Sequence, residues 1–363
     1  MITFDRQSAV PVPPDILAQL TVRTDWLGTW WPAAVCAALG AALVAAAVLR
    51  RGRMRRLPAV AGAVLALVLA VVFAANTAWA YVPNVSAARL LIAGQVSTAA
   101  VAGSGKVTAQ SIVSPARLNM PASTTWVYTP PGYDPAGTVR YPVVYLIHGT
   151  PGGSADWVNS AKGDIAHVMD VLIAHHLVRP LIVVAPDVNG RGRADSECLD
   201  STRGGSQVET YLTTVVVPWV DHHYATSTDW AHRVIGGMSS GGFCALDQGL
   251  RHPALYGSII ALEPYDNPGA GGRAMLRTQA QYDAHSPGQY IPAMTFTHPV
   301  PTFLDIGSLD GGDGAQTTTT AAQLRARGQT VSTRVEPNLN HGWKVAEAGI
   351  VYGLVFVSGQ MPA

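Results

Sequence analysis

Two uncharged apolar runs, Trp30 to Leu49 and Leu57 to Val82, flank a seven-residue loop, Arg50-Arg51-Gly52-Arg53-Met54-Arg55-Arg56, that carries five arginines. No other feature narrows so sharply what this chain can fold into. Each run reaches the roughly 20 residues that a helix needs to cross about 30 Å of hydrocarbon. One such run alone is compatible with a buried core helix. Two of them around a short basic loop predict a membrane hairpin.

Arginine-rich loops stay on the cytoplasmic side, so the turn (50–56) is expected inside, with the N-terminal tail (1–29) and everything after the second span outside. Trp26, Trp30 and Trp31 precede the first span (30–49), and Trp79 and Tyr81 close the second (57–82). Both clusters then fall at the outer interface, where amphipathic rings collect. A competing reading takes Met54 onward as a basic start and an apolar stretch ending at Ala78-Trp79-Ala80, a signal-peptidase pattern that would release a secreted product after Ala80. Both readings place the C-terminal part outside the cytoplasm.

Only 13% of the residues are charged, about half of the roughly 25% usual in soluble domains. Without the five loop arginines, the 24 basic residues fall to 19 against 23 acidic ones. The outer part is therefore mildly acidic, which excludes a basic surface for nucleic acid. Residues 83–104, rich in Ala, Ser and Gly, read as a linker.

From residue 105 to 363 short apolar runs alternate with longer mixed segments, the pattern of an α/β fold with a mostly parallel sheet. Strands are expected at Thr125–Thr129, Pro142–Ile147, Leu181–Ala185, Arg233–Gly236, Gly257–Leu262, Thr302–Ile306 and Val331–Glu336. Helices are expected at Gln207–His223, Gly241–Arg251, Thr317–Arg327 and Trp343–Val357. The last is apolar enough for a core helix or for contact with a bilayer. Tyr265–Pro299, with several prolines and Gly269-Ala270-Gly271-Gly272, reads as an irregular excursion of the kind that shapes a pocket.

Gly237-Met238-Ser239-Ser240-Gly241 fits G-x-S-x-G between an apolar strand and a helix. In that setting a tight turn lifts a serine hydroxyl clear of the sheet, beside a helix N-terminus that favours developing negative charge. Ser239 is the expected nucleophile. Ser240, the rival, belongs on the helix. A glycine-rich helix entry is the plainer alternative.

A serine nucleophile needs a base, and the base an orienting acid. His341, in the turn Asn338-Leu339-Asn340-His341-Gly342-Trp343 after the last strand, is the expected base. His252 precedes Pro253 at a helix end and reads as a capping residue, while His285 and His298 sit in the excursion. Asp310, just past the strand holding Asp305, is the expected acid, with Asp313 as second choice. The run from Asp310 to Gly314 lacks the alternating ligands of a calcium loop, so no metal and no cofactor is expected. The tetrahedral oxyanion needs two donors. They are expected from the backbone of Ser240 and from Thr150 in His148-Gly149-Thr150-Pro151-Gly152-Gly153, since Pro151 has no N–H.

Pro130-Pro131-Gly132-Tyr133-Asp134, the His148–Gly153 loop, Gly237–Gly242 and His341 together resemble the esterase D-like branch of the α/β hydrolases, which includes feruloyl esterases and mycolyltransferases. The resemblance spans about residues 105–350. It implies an α/β-hydrolase fold and a Ser239–Asp310–His341 triad with oxyanion donors at Thr150 and Ser240. The hairpin is outside the general family pattern. It resembles that of membrane-bound esterases of the branch, some of which hydrolyse aminoacyl-phosphatidylglycerol.

Cys36 lies in the first span. Cys198 and Cys244 both fall in the outer domain, where a disulfide would persist, and are expected either bridged, tying the Asp187–Asp195 loop to the nucleophile helix, or as two buried thiols. Asp187, Asp195 and Glu197 on that stretch, Glu263 and Asp266 after the next strand, and Asp156 and Trp157 after the oxyanion loop are candidate substrate contacts. The acidic ones would suit a substrate ammonium group, or would be solvated or paired with Arg191 and Arg193. The expected partner is a membrane lipid or envelope ester, hydrolysed by this domain. Acyl transfer to a sugar or lipid hydroxyl and a non-catalytic envelope binding protein are the alternatives.

Overall fold

The computed structural model describes residues 11–20, 25–49, 53–79, 82, 84–85, 88–89, 103–160 and 162–362. Arginines 50 and 51, the Ala80 cleavage position, Tyr81 and most of the 83–104 linker lie outside the described residues. The described chain divides into two compact units, one formed by 25–89 and the other by 11–20 together with 103–362.

The smaller unit is a pair of packed helices. Helix α1 (Pro14–Leu20) belongs to the larger unit. Helices α2 (Trp31–Leu49) and α3 (Arg53–Trp79) form the pair and run antiparallel. Small side chains let them approach: Ala33 and Ala47 of α2 and Ala59, Ala63 and Ala66 of α3 are buried. Large ones point away, with Val35, Leu39, Val48, Leu57, Leu65 and Val71 exposed. Near the open end, the Asn76 amide donates to the Leu27 carbonyl and the Thr77 hydroxyl to that of Thr29. Both helices are long and apolar enough to cross a membrane.

The larger unit is built on a sheet of eight described strands: β1 (Lys106–Ser111), β2 (Thr124–Thr129), β3 (Val143–Ile147), β4 (Ile182–Ala185), β5 (Arg233–Met238), β6 (Ser258–Leu262), β7 (Thr302–Gly307) and β8 (Val331–Glu336). Their spatial order is β1-β2-β4-β3-β5-β6-β7-β8. The first two pairings are antiparallel and the rest parallel, so the architecture is the expected α/β-hydrolase fold. Strand β1 is not among the strands expected from the sequence. Its polar alternation, Lys-Val-Thr-Ala-Gln-Ser, lacks the apolar run that marks a buried strand.

Side chains on successive residues enter opposite layers, as a strand requires. Val143, Tyr145 and Ile147 enter one core layer, and Val144 and Leu146 the other. The first layer is completed by α5 (Val208–Tyr211), which continues through Leu212–Val216 into α6 (Val217–His223), and by α7 (Ser240–Arg251). The second is completed by α4 (Ile165–Ala174) and by the last helix of the chain. The excursion after β6 is less irregular than expected. It folds as α8 (Gly269–Met275), α9 (Gln279–Ala284) and α10 (Pro287–Tyr290), with Thr278 and Gln281 forming a capping box on α9. Helix α11 (Gly311–Ala326) starts six residues earlier than expected, immediately after Asp310. Helix α12 (Trp343–Gln360) is a core helix, with Val345, Ala346, Ile350, Leu354 and Val357 fully buried.

Helix α1 packs on α4. Val12 and Ile16 join the second core layer, and His167 Nε2 lies 3.0 Å from the Gln19 carbonyl.

Candidate active site

Ser239 follows β5 and opens α7 with φ +57° and ψ −123°, a conformation that non-glycine residues rarely hold. It is pinned there by its own N–H, which donates to the Leu262 carbonyl at 2.9 Å. The flanking glycines are required by close approach. A Cβ on Gly237 would lie 2.3 Å from the Gly241 carbonyl oxygen, and one on Gly241 would lie 2.2 Å from that of Ile147. Backbone strain of this order costs about 1–3 kcal/mol and persists where surrounding structure enforces it.

The turn between β8 and α12 brings His341 to this serine. Its Nε2 lies 2.8 Å from Ser239 Oγ, and its Nδ1 lies 3.0 Å from Asp310 Oδ2. Asp313 Oδ2 stands 3.5 Å and Glu263 Oε1 4.0 Å from the same Nδ1. Burial alone would lower the pKa of His341. Hydrogen bonding to Asp310 and Asp313 and the charges of Glu263 and Asp310 outweigh it, raising the value to about 10. The arrangement can pass a proton from the serine hydroxyl to an imidazole backed by carboxylates.

Thr150 and Ser240 also meet. The Ser240 hydroxyl donates to Thr150 Oγ1 at 3.1 Å, and the Thr150 hydroxyl donates to Asp195 Oδ1 at 3.2 Å. Ser240 is thereby bound to the oxyanion loop. Cys198 and Cys244 are bonded, so the segment carrying Asp195 and Glu197 is fastened to α7. Glu197 and Cys198 are themselves left-handed, with φ +46° and +53°.

The candidate substrate contacts divide. Trp157 is a correction: it is fully buried, donates from Nε1 to the Ile147 carbonyl at 2.9 Å and meets Trp343 edge-on. Its place next to the oxyanion loop in sequence does not carry its ring to the mouth. Glu263 is also a correction. It is fully buried, and both its oxygens accept from the Gly342 N–H, at 2.9 and 3.0 Å. Glu197 is buried as well and accepts from the Tyr265 hydroxyl. Burial first, then the neighbouring Asp195 charge, push its pKa up to about 9. Asp156 pairs with Lys162 at 2.6 Å and accepts from the Gly153 N–H. Asp266 accepts from Asn267, and its N–H donates to Gln316. Asp187 accepts from the Asn189 N–H beside Gly153. Asp195 alone of these is bonded to a proposed oxyanion residue.

His252, His285 and His298 lie elsewhere. His252 pairs with Glu209, His285 with Asp247, and His298 stacks on Trp230. Among the described residues Glu263, Asp310 and His341 place ligand atoms within 4.8 Å of one another. Those atoms are already hydrogen-bonded to Gly342 and to each other.

A family model described as "Putative esterase" matches residues 120–345, well over half of the chain. The chain belongs to that family. A protein of Corynebacterium glutamicum is 31% identical over 152 residues, 42% of this chain and 35% of its own. An esterase of Mycobacterium tuberculosis is 28% identical over 142 residues, 39% of this chain and 28% of its own. The chain thus spans about a third of the length of these curated relatives. An S-formylglutathione hydrolase from Agrobacterium tumefaciens shares the fold of this esterase-family member, with a TM-score of 0.60 at 19% identity over 72% of this chain and 98% of that one.

Proposed function

We propose that this esterase-family protein is a membrane-anchored, extracytoplasmic serine esterase that hydrolyses a carboxylic ester of a lipid or envelope component. The observation that carries the chemistry is the continuous contact from Ser239 Oγ through His341 to Asp310. Ser239 Oγ attacks the ester carbonyl carbon while its proton passes to His341 Nε2. Asp310 holds the imidazole and stabilises the imidazolium that forms. The N–H groups of Thr150 and Ser240, at the start of α7, receive the oxyanion. Collapse of the adduct expels the alcohol, which takes the proton from His341. Water then enters by the same route and releases the acid.

The anchoring rests on α2 and α3 and on the path of the chain. Helix α1 precedes the first long helix yet packs into the hydrolase unit, and the chain after the second long helix enters that same unit. A chain that leaves and re-enters one compact body crosses a bilayer an even number of times. With the arginine loop held inside, the hydrolase unit is outside. Anchoring raises the local concentration of ester in the same bilayer. Asp195, beside Thr150, would place a carboxylate near a substrate ammonium group, which favours an aminoacyl lipid ester within that class.

The test is fluorophosphonate labelling of membranes carrying the full chain, followed by incubation with phosphatidylglycerol and its aminoacyl ester. Labelling of the wild type and none of Ser239→Ala is expected, with release of free amino acid. An unlabelled wild type would refute the nucleophile, and acylated acceptor in place of free acid would refute hydrolysis in favour of acyl transfer.

A further inference from the structure

Glu263 is the first residue after β6, and Asp310 follows β7, so two neighbouring strands each deliver a carboxyl group to the same imidazole. Glu263 is fully buried, and its backbone is left-handed at φ +52°. Its N–H donates to the Asp305 carbonyl at 2.7 Å, and the residue before it accepts from Ser239. These two bonds fix the Glu263 backbone to the nucleophile elbow on one side and to the acid-bearing strand on the other. The carboxyl group then reaches across to the Gly342 N–H, the residue directly after His341, with both oxygens within 3.0 Å. A buried carboxyl group placed on the base's own turn is costly to hold without a partner, and this one has two: the Gly342 N–H and the imidazole 4.0 Å away.

We infer that Glu263 is a positioning residue for His341, acting as a second acid beneath the imidazole and as the anchor of the turn that carries it. The inference rests on the reading of Ser239 and His341 as nucleophile and base. Its two actions are separable. The Gly342 bond sets where the ring sits, and needs only an acceptor oxygen. The charge sets how strongly the imidazolium is favoured once the ring takes the serine proton.

The groups that face this pair are known from every side. Asp310 and Asp313 approach His341 from the start of α11. Asp305 of β7 lies behind Glu263, and beyond it Arg334 and Glu336 of β8 pair with each other. Burial is the main reason that the Glu263 carboxyl titrates high, at about 8, with Asp310 and Asp313 adding to it and His341 opposing it. A proton on the imidazole favours ionisation of Glu263, and a negative Glu263 in turn favours that proton.

The experiment is the rate of fluorophosphonate labelling of the full chain in membranes as a function of pH, for wild type, Glu263→Gln, Glu263→Ala and Asp310→Asn/Asp313→Asn. Glutamine keeps the acceptor for Gly342 and removes the charge. An opposite charge at this range moves a titration by about 1 unit or more. The alkaline rise in labelling should therefore move to lower pH by about 1 unit in Glu263→Gln, while alanine, which also frees the turn, should lower the rate at every pH. The Asp310→Asn/Asp313→Asn variant, left with Glu263 near Nδ1, should keep an alkaline rise whose midpoint lies about 1 unit or more above the roughly 6.5 of a free imidazole. It decides the matter even if the Glu263 variants fail to fold. An unshifted Glu263→Gln profile, or a double variant whose rise falls to or below that of a free imidazole, would overturn the role of Glu263 and leave the base intact. A wild type that does not label would overturn the reading beneath it instead.

Discussion

The Asp195 carboxylate accepts the Thr150 hydroxyl at 3.2 Å, and Thr150 Oγ1 in turn accepts the hydroxyl of Ser240 at 3.1 Å. Asp195 thus terminates a chain of donors whose other members are the two proposed oxyanion residues. These bonds tie the two residues whose backbone N–H groups are to receive the oxyanion to one carboxylate, and so hold those donors in register. Asp195→Ala should leave the fold intact and lower kcat by about tenfold with little change in KM, less than the 10²–10³ lost with an oxyanion donor itself. Asp195→Asn, which keeps an acceptor oxygen, should recover most of the rate. Steady-state kinetics on a chromogenic ester without an ammonium group isolate this role, since loss of an ammonium contact alone would leave that substrate unaffected.

Activity and stability should respond to pH in opposite directions. A base must be neutral to accept the serine proton, and the carboxyl groups around His341 raise it to about 10, so kcat/KM should climb with pH through the alkaline range. The folded state, however, binds more protons than the unfolded one at this residue and at three acids, the buried Glu197 and Glu263 and the half-buried Glu347 of α12. Burial raises Glu197 to about 9 and Glu263 and Glu347 to about 8. For a raised pKa the stabilising contribution is complete below the unfolded value and is lost as pH rises through the folded one. The Tm should therefore fall between about pH 4.5 and about pH 10. Glu209 works in the other direction. Burial opposes its ionisation, but His252, Arg251 and His285 outweigh that and hold it down at about 2, so its contribution is lost as pH falls from about 4.5 toward 2. Thermal unfolding across pH, compared with initial rates, checks both trends.

The parts of the site that sequence reveals are those set by local chain geometry. Gly237 and Gly241 mark the elbow because no side chain fits there, and His341 sits in a polar turn at the end of a strand. The remaining parts depend on which way a side chain faces. Trp157 and Glu263 stand next to functional segments in the chain but turn inward, and their partners, Trp343 and Gly342, lie far along the sequence. Helix α4 is legible in the sequence although not among the expected helices, since Ile165, Val168, Met169 and Leu172 repeat at helical spacing. Strand β1 carries no such signal, because its place at the sheet edge leaves it polar.

Because Trp157 is enclosed, its replacement should be felt as stability. Trp157→Ala leaves a cavity beneath β3 and removes the edge-on contact with Trp343, and should cost about 3–5 kcal/mol. Trp157→Phe keeps a ring but strands the Ile147 carbonyl, at about 1 kcal/mol. Denaturant unfolding of the two variants gives these differences. A KM change at unaltered stability would instead restore the ring to the substrate mouth.

The bond between Cys198 and Cys244 holds a strained segment against the nucleophile helix. Glu197 and Cys198 are both left-handed without being glycine, a conformation that the chain would relax if released. The bridge spans 46 residues, and closing a loop of that size removes unfolded-chain entropy worth about 4 kcal/mol. Cys198→Ser/Cys244→Ser should lose stability of that order. It should also lose rate, because relaxation of the segment withdraws Asp195 from Thr150 and so loosens the oxyanion residues. Combining it with Asp195→Ala separates the two effects. The rate losses should not add, since both act through the same carboxylate, whereas the stability loss of the cysteine pair should persist in full. Additive rate losses would mean that the bridge acts on α7 directly.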